Sequence, residues 1–266
     1  MQDAAATQTR QTDILDPARA RAFQVALGDA ATIDTGAPLP PFFHQLYFWD
    51  PQPPSGLGRD GHPKVGGLIP DLGLPRRMWA GGSLRFHAAL HAGRPAEKTS
   101  RVTQVTRKDG RTGPLGFVTL THEITQGGTL CVTERQDLVY RQDPDPAAPR
   151  PVAPQARTDE TDLAQAAFTS TLLFRYSALT FNGHRIHYDL DYSRDVEGYA
   201  GLVVHGPLLA QQLMLMAERQ GPIRSFSFRA ASPLMHFETA ALCRNGADMW
   251  VRGPDGRLVM SAEVTG

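Results

Sequence analysis

Val203-Val204-His205-Gly206-Pro207-Leu208-Leu209-Ala210-Gln211-Gln212-Leu213-Met214-Leu215-Met216-Ala217-Glu218-Arg219-Gln220-Gly221-Pro222 decides how this chain folds. Gly206 and a proline at the first helical position open a helix over 207–219, and Gly221-Pro222 ends it. The middle of that helix is apolar on nearly every face, and such a helix must be buried on nearly every face. Four runs that read as antiparallel strands follow it. A lone buried helix followed by such strands implies a sheet wrapped round the helix.

The first half carries a matching set of strands without the helix. Runs 83–90, 99–108, 115–125 and 129–140 are rich in β-branched and aromatic residues, with turns at Asp109-Gly110 and Gly127-Gly128. Residues 35–82 are broken by Pro and Gly but hold Phe42, Phe43, Tyr47, Phe48 and Trp49, so they read as irregular and buried, since disordered tracts are poor in aromatics. Residues 1–14 are polar and read as frayed. Asp16-Pro17 then starts a short helix that stops at Gly28.

The two halves resemble each other in order. Ser83-Leu84-Arg85-Phe86 matches Ser225-Phe226-Ser227-Phe228, and Gly128-Thr129-Leu130 matches Gly256-Arg257-Leu258. The expected organisation is an N-terminal half over 1–142 that has lost its helix, a proline-rich linker at 143–154, and a C-terminal half over 155–266.

Composition excludes several classes. Lys+Arg and Asp+Glu are 27 each, so no basic footprint of a nucleic-acid binder is present. The 2 cysteines, Cys131 and Cys243, neither staple a chain this long nor make a zinc site, and read as buried hydrophobes. No apolar run approaches the ~18 residues that cross a membrane. The N-terminus has no apolar core of a secretory signal, and its aspartates argue against a transit peptide. A cytoplasmic protein is the expectation.

Chemistry concentrates in Thr180-Phe181-Asn182-Gly183-His184-Arg185-Ile186-His187-Tyr188-Asp189, followed by His205-Gly206 at the helix start. An imidazole beside a helix N-terminus pairs a proton carrier with free N–H donors. His184 and His187 are also a possible metal pair, but no third ligand stands at a metal-like spacing, so no metal is expected.

This stretch resembles the hydratase 2 motif of MaoC-like enoyl-CoA hydratases, whose pattern runs Ser-Gly-Asp-x-Asn-Pro-Ile-His with a His-Gly helix start downstream. The first half, with MWAGGSLRFH at 78–87, resembles the N-terminal partner of double-hot-dog dehydratases. Within the family, the group similar to mesaconyl-C4-CoA hydratases carries a comparable RYSALTFNGHRIHYD stretch. The resemblance implies an α+β double hot-dog: two antiparallel sheets, each wrapped round a helix, with the N-terminal copy degenerate. It also implies reversible hydration of a short enoyl-CoA, such as mesaconyl-C4-CoA to citramalyl-CoA. Coenzyme A enters as part of the substrate, with no further cofactor.

By that resemblance, His187 is the catalytic base and Gly206 the donor to the thioester oxygen. Asn182 stands where the family has an aspartate; an amide orients water but cannot accept its proton. Asp189, Asp191 and Glu263 are candidates for the missing carboxylate. His184, Arg185, His205 and Arg175 are expected at the substrate, with Arg175 or Arg185 able to clamp a free carboxylate. The implied partner is an acyl-CoA, with no nucleic acid or membrane, and a homodimer of doubled chains is plausible. A hot-dog thioesterase and a non-catalytic acyl-CoA-binding subunit are the alternatives.

Overall fold

The computed structural model describes residues 8–110, 113–143 and 152–266. Chain order runs β1 (Gln8–Ile14), α1 (Pro17–Leu27), β2 (Arg76–Phe86), β3 (Pro95–Gly110), β4 (Gly113–Gln126), β5 (Thr129–Arg141). The second half continues with β6 (Asp162–Ala167), α2 (Ser170–Thr180), α3 (Gly206–Glu218), β7 (Ser225–Ala230), β8 (Thr239–Asn245), β9 (Asp248–Arg252) and β10 (Leu258–Thr265).

All strands join one 10-stranded sheet in the order β1-β3-β4-β5-β2-β7-β10-β9-β8-β6. The order is palindromic in role, because β1–β5 and β6–β10 repeat one pattern. The halves meet at β2 and β7. There Ser83 pairs with Ser227, Arg85 with Ser225, and Leu84 with Phe226 at the pseudo-twofold axis. The matched tetrapeptides of the repeat are therefore the two strands that join the halves. The α+β double hot-dog is the fold found, with one refinement: the two expected sheets are continuous.

That joint needs Gly81 and Gly82. A Cβ on Gly81 would lie 2.5 Å from the Phe228 carbonyl oxygen, and one on Gly82 would lie 2.3 Å from that of Arg135. A side chain at either position would push β2 away from a neighbouring strand.

Helix α3 is the buried helix of the C-terminal half. Leu208, Ala210, Leu213 and Met214 are wholly inaccessible, and the helix lies against β7, β9, β10 and β2. In the N-terminal half no such helix exists among the described residues. The irregular segment before β2 fills the space instead, with Phe42, Phe43, Leu46, Tyr47 and Phe48 all buried. Its polar groups are satisfied by Glu134 on β5. That carboxylate accepts from Gln45 Nε2 at 2.9 and 3.0 Å and lies 2.9 Å from His44 Nε2. Burial pushes the Glu134 carboxyl up, but the hydrogen bond and charge of His44 outweigh it and hold the group at about 2.

Helix α1 forms as expected. Asp16 caps it by accepting from Ala18 N–H at 2.8 Å, and Gly28 ends it in the left-handed region at φ 89°. Residues 8–14 do not fray. They form edge strand β1, paired with β3 from Gln8↔Arg101 to Ile14↔Pro95. Their polar side chains suit an exposed edge, where the ladder needs only backbone groups. Strand β2 begins at Arg76, earlier than its composition suggests, because charged and glycine residues open it. Cys131 and Cys243 are buried and unlinked. Most of the proline-rich segment, residues 144–151, lies outside the described residues, as do residues 1–7 and 111–112. No helix among the described residues is long and apolar enough to cross a membrane.

Candidate active site

The site is built by three segments. One is the loop after α2, another the start of α3, and the third comes from the irregular segment of the N-terminal half.

Helix α2 is capped by Thr169, whose hydroxyl accepts from Leu172 N–H at 3.2 Å, and it ends at Phe181 in the left-handed region. The chain then turns on Asn182. Its Oδ1 accepts from the His184 backbone N–H at 3.0 Å, which fixes the turn. The side-chain oxygen expected to position water is thus occupied by the loop, and the Nδ2 amide remains to meet a water.

His187 is buried, and its Nδ1 lies 2.7 Å from the Val203 carbonyl oxygen. A carbonyl only accepts, so Nδ1 carries the proton and Nε2 presents a lone pair. Burial drives its pKa down to about 3, against the raising effect of the Val203 bond. The ring is therefore neutral and its tautomer is fixed.

His205 stacks on His187 at 3.6 Å between centroids, tilted 20°. It was expected at the substrate but is wholly inaccessible, with Nε2 2.9 Å from Ser177 Oγ on α2. It forms the floor under His187 and joins it to the N-terminus of α3. Burial, then His187, holds its pKa well below the usual imidazole value.

Gly206 follows directly. Its φ is not positive, and beyond its chain neighbours a Cβ would meet only the Trp79 carbonyl oxygen, at 3.9 Å. Gly206 is also helical and immediately precedes Pro207, whose ring would crowd a Cβ there, so glycine eases the helix start as well. The space in front of the helix N-terminus is open, and its free N–H groups face it. Gly206→Ala is accordingly expected to melt close to the parent, since the helix preference of alanine and its crowding of Pro207 oppose each other. Its kcat is expected to fall about 10- to 100-fold through crowding of that space. Thermal melts and turnover on the same preparation check both halves of this expectation.

The N-terminal half supplies what the sequence reading missed. Gly61 (φ 86°) lies against Gly183 so closely that a Cβ on it would be 2.0 Å from the Gly183 carbonyl oxygen. The Arg185 backbone N–H donates to the Asp60 carbonyl at 2.9 Å. This contact brings Asp60 and His62 to the motif. His62 donates to Asp60 twice, from its backbone N–H to Oδ1 at 3.1 Å and from Nδ1 to Oδ2 at 3.0 Å. The His62 ring then meets His184 at 4.3 Å, and His184 meets His187 edge-on at 5.2 Å. Burial dominates the lowered pKa of both His62 and His184, and Arg77 and neighbouring imidazoles add to it. Burial pushes the Asp60 carboxyl up, yet His62 keeps it below its usual value. Asp60, His62 and His184 place their ligating atoms within 4.8 Å of one another. A third metal-capable group therefore does reach His184, from a segment that local spacing could not reveal.

The other expected residues lie elsewhere. Arg185 is bound to Asp189 Oδ2 through Nε at 2.9 Å and Nη2 at 2.7 Å, and it covers the Tyr192 ring at 4.1 Å. It clips the loop and is not available as a carboxylate clamp. Arg175 is on the exposed face of α2, opposite the Tyr176 and Ser177 that touch His205. Of the candidate carboxylates, Asp189 is held by Arg185, while Asp191 and Glu263 are exposed. Asp60 is a carboxylate that the fold brings to the motif from the N-terminal half.

Known proteins match this chain throughout its length. A family model described as hydroxyacyl-thioester dehydratase type 2 matches residues 42–236. The chain is 45% identical over 258 residues to mesaconyl-C(4)-CoA hydratase of Chloroflexus aurantiacus, with 90% of each covered. Among solved structures, HtdX of Mycobacterium tuberculosis aligns with a TM-score of 0.70 at 18% identity, covering 97% of this chain and 99% of that one. Another Mycobacterium tuberculosis protein, described as having a double hotdog fold, aligns with a TM-score of 0.61 at 13% identity, covering 97% and 94%. The structural matches carry the fold alone.

Proposed function

The chain belongs to the hydroxyacyl-thioester dehydratase type 2 family, and from that premise we propose that it is a hydro-lyase acting on mesaconyl-C4-CoA or a related short, carboxylated enoyl-CoA. The observation that carries this reading is the His187 tautomer. Its Nδ1 is committed to Val203, so Nε2 is left as a base beside the N-terminus of α3.

The thioester oxygen takes the N–H of Gly206, where the helix dipole favours developing negative charge. Water adds its oxygen to the β-carbon while its proton passes to His187 Nε2. The alkene electron pair moves toward the thioester carbonyl and forms an enolate held by Gly206. The same proton then passes from the imidazolium to the α-carbon. A buried imidazole is a weak base but, once protonated, a strong acid, so the second transfer is strongly downhill. Dehydration is the reverse path. The thioester itself acidifies the α-proton, and the reading assigns no metal or redox cofactor.

His205 and Val203 hold the base in place, while Asn182 shapes the loop and offers its amide to the water. The double hot-dog already contains the twofold unit, and a monomer or a homodimer of doubled chains both fit it.

The test mixes purified protein with mesaconyl-C4-CoA or crotonyl-CoA and follows enoyl-thioester absorbance together with free thiol. Loss of absorbance without thiol release is expected. Thiol release would make the protein a thioesterase, and inertness toward both substrates would make it a binding subunit.

A further inference from the structure

Among the described residues, two arginines open β2 and meet opposite fates. Arg76 is buried and paired with Glu197. Arg77 is half-buried on the inner face of the sheet and takes part in no ion pair or hydrogen bond among the described residues. Its direct partner across the β2–β5 ladder is Tyr140, which is 3% exposed and whose hydroxyl has no hydrogen-bond partner. A buried phenol without a partner is costly unless something completes it, and the Arg77 guanidinium beside it is left unpaired by the protein.

Their position is informative. Trp79 stands two residues after Arg77 on the same strand face, and its carbonyl oxygen abuts Gly206. At a strand rise of ~3.3 Å per residue, Arg77 begins about 7 Å along β2 from Trp79, the residue that faces Gly206. Burial dominates the lowered pKa of His62 and His184, and the Arg77 charge pushes both further down. The Asp60 carboxylate lies near Arg77, and both its oxygens accept from His62. Arg77 and Tyr140 thus offer two donors and one full positive charge beside neutral imidazoles, with Asp60 as the opposing charge.

Resting on the hydration reading above, we propose that Arg77 and Tyr140 form the subsite that binds a free carboxylate on the β-carbon of the acyl group. In mesaconyl-C4-CoA that carboxylate hangs on the carbon that receives water. Pairing it with a guanidinium orients the β-carbon toward His187 and neutralises a charge beside the forming C–O bond. Arg175 and Arg185, expected from the sequence for this task, are respectively exposed and already paired.

Arg77→Met is expected to lower the ratio of kcat/KM for mesaconyl-C4-CoA over crotonyl-CoA by about 100-fold or more, in line with truncation of a buried charge pair. Tyr140→Phe should lower the same ratio by about 10- to 100-fold, the worth of one hydrogen bond to a charged group. Equal losses on both substrates, or no loss, would overturn the assignment. Calorimetric binding to the unmodified protein gives a second measurement that needs no variant. Succinyl-CoA, with its carboxylate on the β-carbon, should bind at least about tenfold more tightly than butyryl-CoA. Equal affinities would refute the subsite even if Arg77→Met does not fold. If the protein hydrates neither enoyl-CoA, the hydration reading fails, while the succinyl–butyryl comparison still decides the carboxylate site.

Discussion

His187→Ala is expected to lower kcat for enoyl-thioester hydration by about 10³-fold, within the range usual for loss of a general acid–base. The loss should be this large because no neighbour can take over. His205 lies beneath the ring with its Nε2 held against Ser177. His184 stands edge-on at 5.2 Å, on the side facing His62. Asn182→Ala removes a loop hydrogen bond and a water contact but no proton carrier, so it should slow turnover less. Stopped-flow absorbance gives the rates, and near-UV circular dichroism, which reports tyrosine and tryptophan packing, checks that the core around Tyr176 beside His205 has not collapsed. Turnover of His187→Ala within tenfold of the parent would move the base elsewhere, and the Asp60–His62 pair would be the first place to look.

Acid should unfold this protein earlier and more steeply than its balanced charge suggests. His62, His122, His184, His187 and His205 all have native pKa values pushed down by burial, His122 to about 4 and His187 to about 3. The sign follows from proton binding. Above pH ~6.5 these imidazoles are neutral whether folded or unfolded and contribute nothing to the pH dependence. Below it the unfolded chain takes up protons that the folded chain refuses, so stability falls as pH falls. Each histidine contributes up to about 1.4 kcal/mol per pH unit in that window. Five of them would consume a typical margin of ~5–15 kcal/mol within roughly two pH units. Glu134, held at about 2, adds to the loss only below its unfolded value near 4.5. Urea unfolding at pH 7.5, 6.0 and 5.0 should show the midpoint dropping at each step. A midpoint unchanged down to pH 5 would mean that these rings titrate normally. Turnover per folded molecule should show no limb near pH 6.5, because the working imidazole is neutral throughout that range.

What could be read from the sequence was what neighbouring residues decide. Asp16, Pro17 and Gly28 bound α1 by capping chemistry that acts within a few positions, and the all-apolar middle of α3 demanded burial whatever surrounded it. The repeat located β2 and β7 because their inner faces pack alike. Strand β1 escaped because edge pairing uses the backbone, and its Gln, Thr and Arg side chains look like those of a loop. Helix α2 escaped because its buried face is short: Leu173, Tyr176 and Ser177.

The site divided along the same line. The order of His187, His205 and Gly206 follows the family motif. Asp60 and His62 sit more than a hundred residues upstream, in a stretch read as irregular and buried, and the Gly61–Gly183 approach and the Arg185–Asp60 backbone hydrogen bond bring them in. A polar Asp-Gly-His amid prolines was the one available hint. The arginines show why charge cannot be read without partners. Arg185 is spent on Asp189 and Arg76 on Glu197, while Arg77, adjacent in sequence, is spent on neither.

The continuous sheet has a consequence for how the catalyst can change. In an assembly of two identical chains, every substitution appears twice and both clefts must accept it. Here both halves lie in one chain, so their pairing across the β2–β7 seam is intramolecular and each half is a single-copy part. The N-terminal half was therefore free to give up its helix and to lend the other half's cleft a carboxylate, an imidazole and an arginine that symmetry would have imposed on both clefts. Such a lopsided cleft suits a molecule with two unlike ends, a thioester at one and an acid at the other.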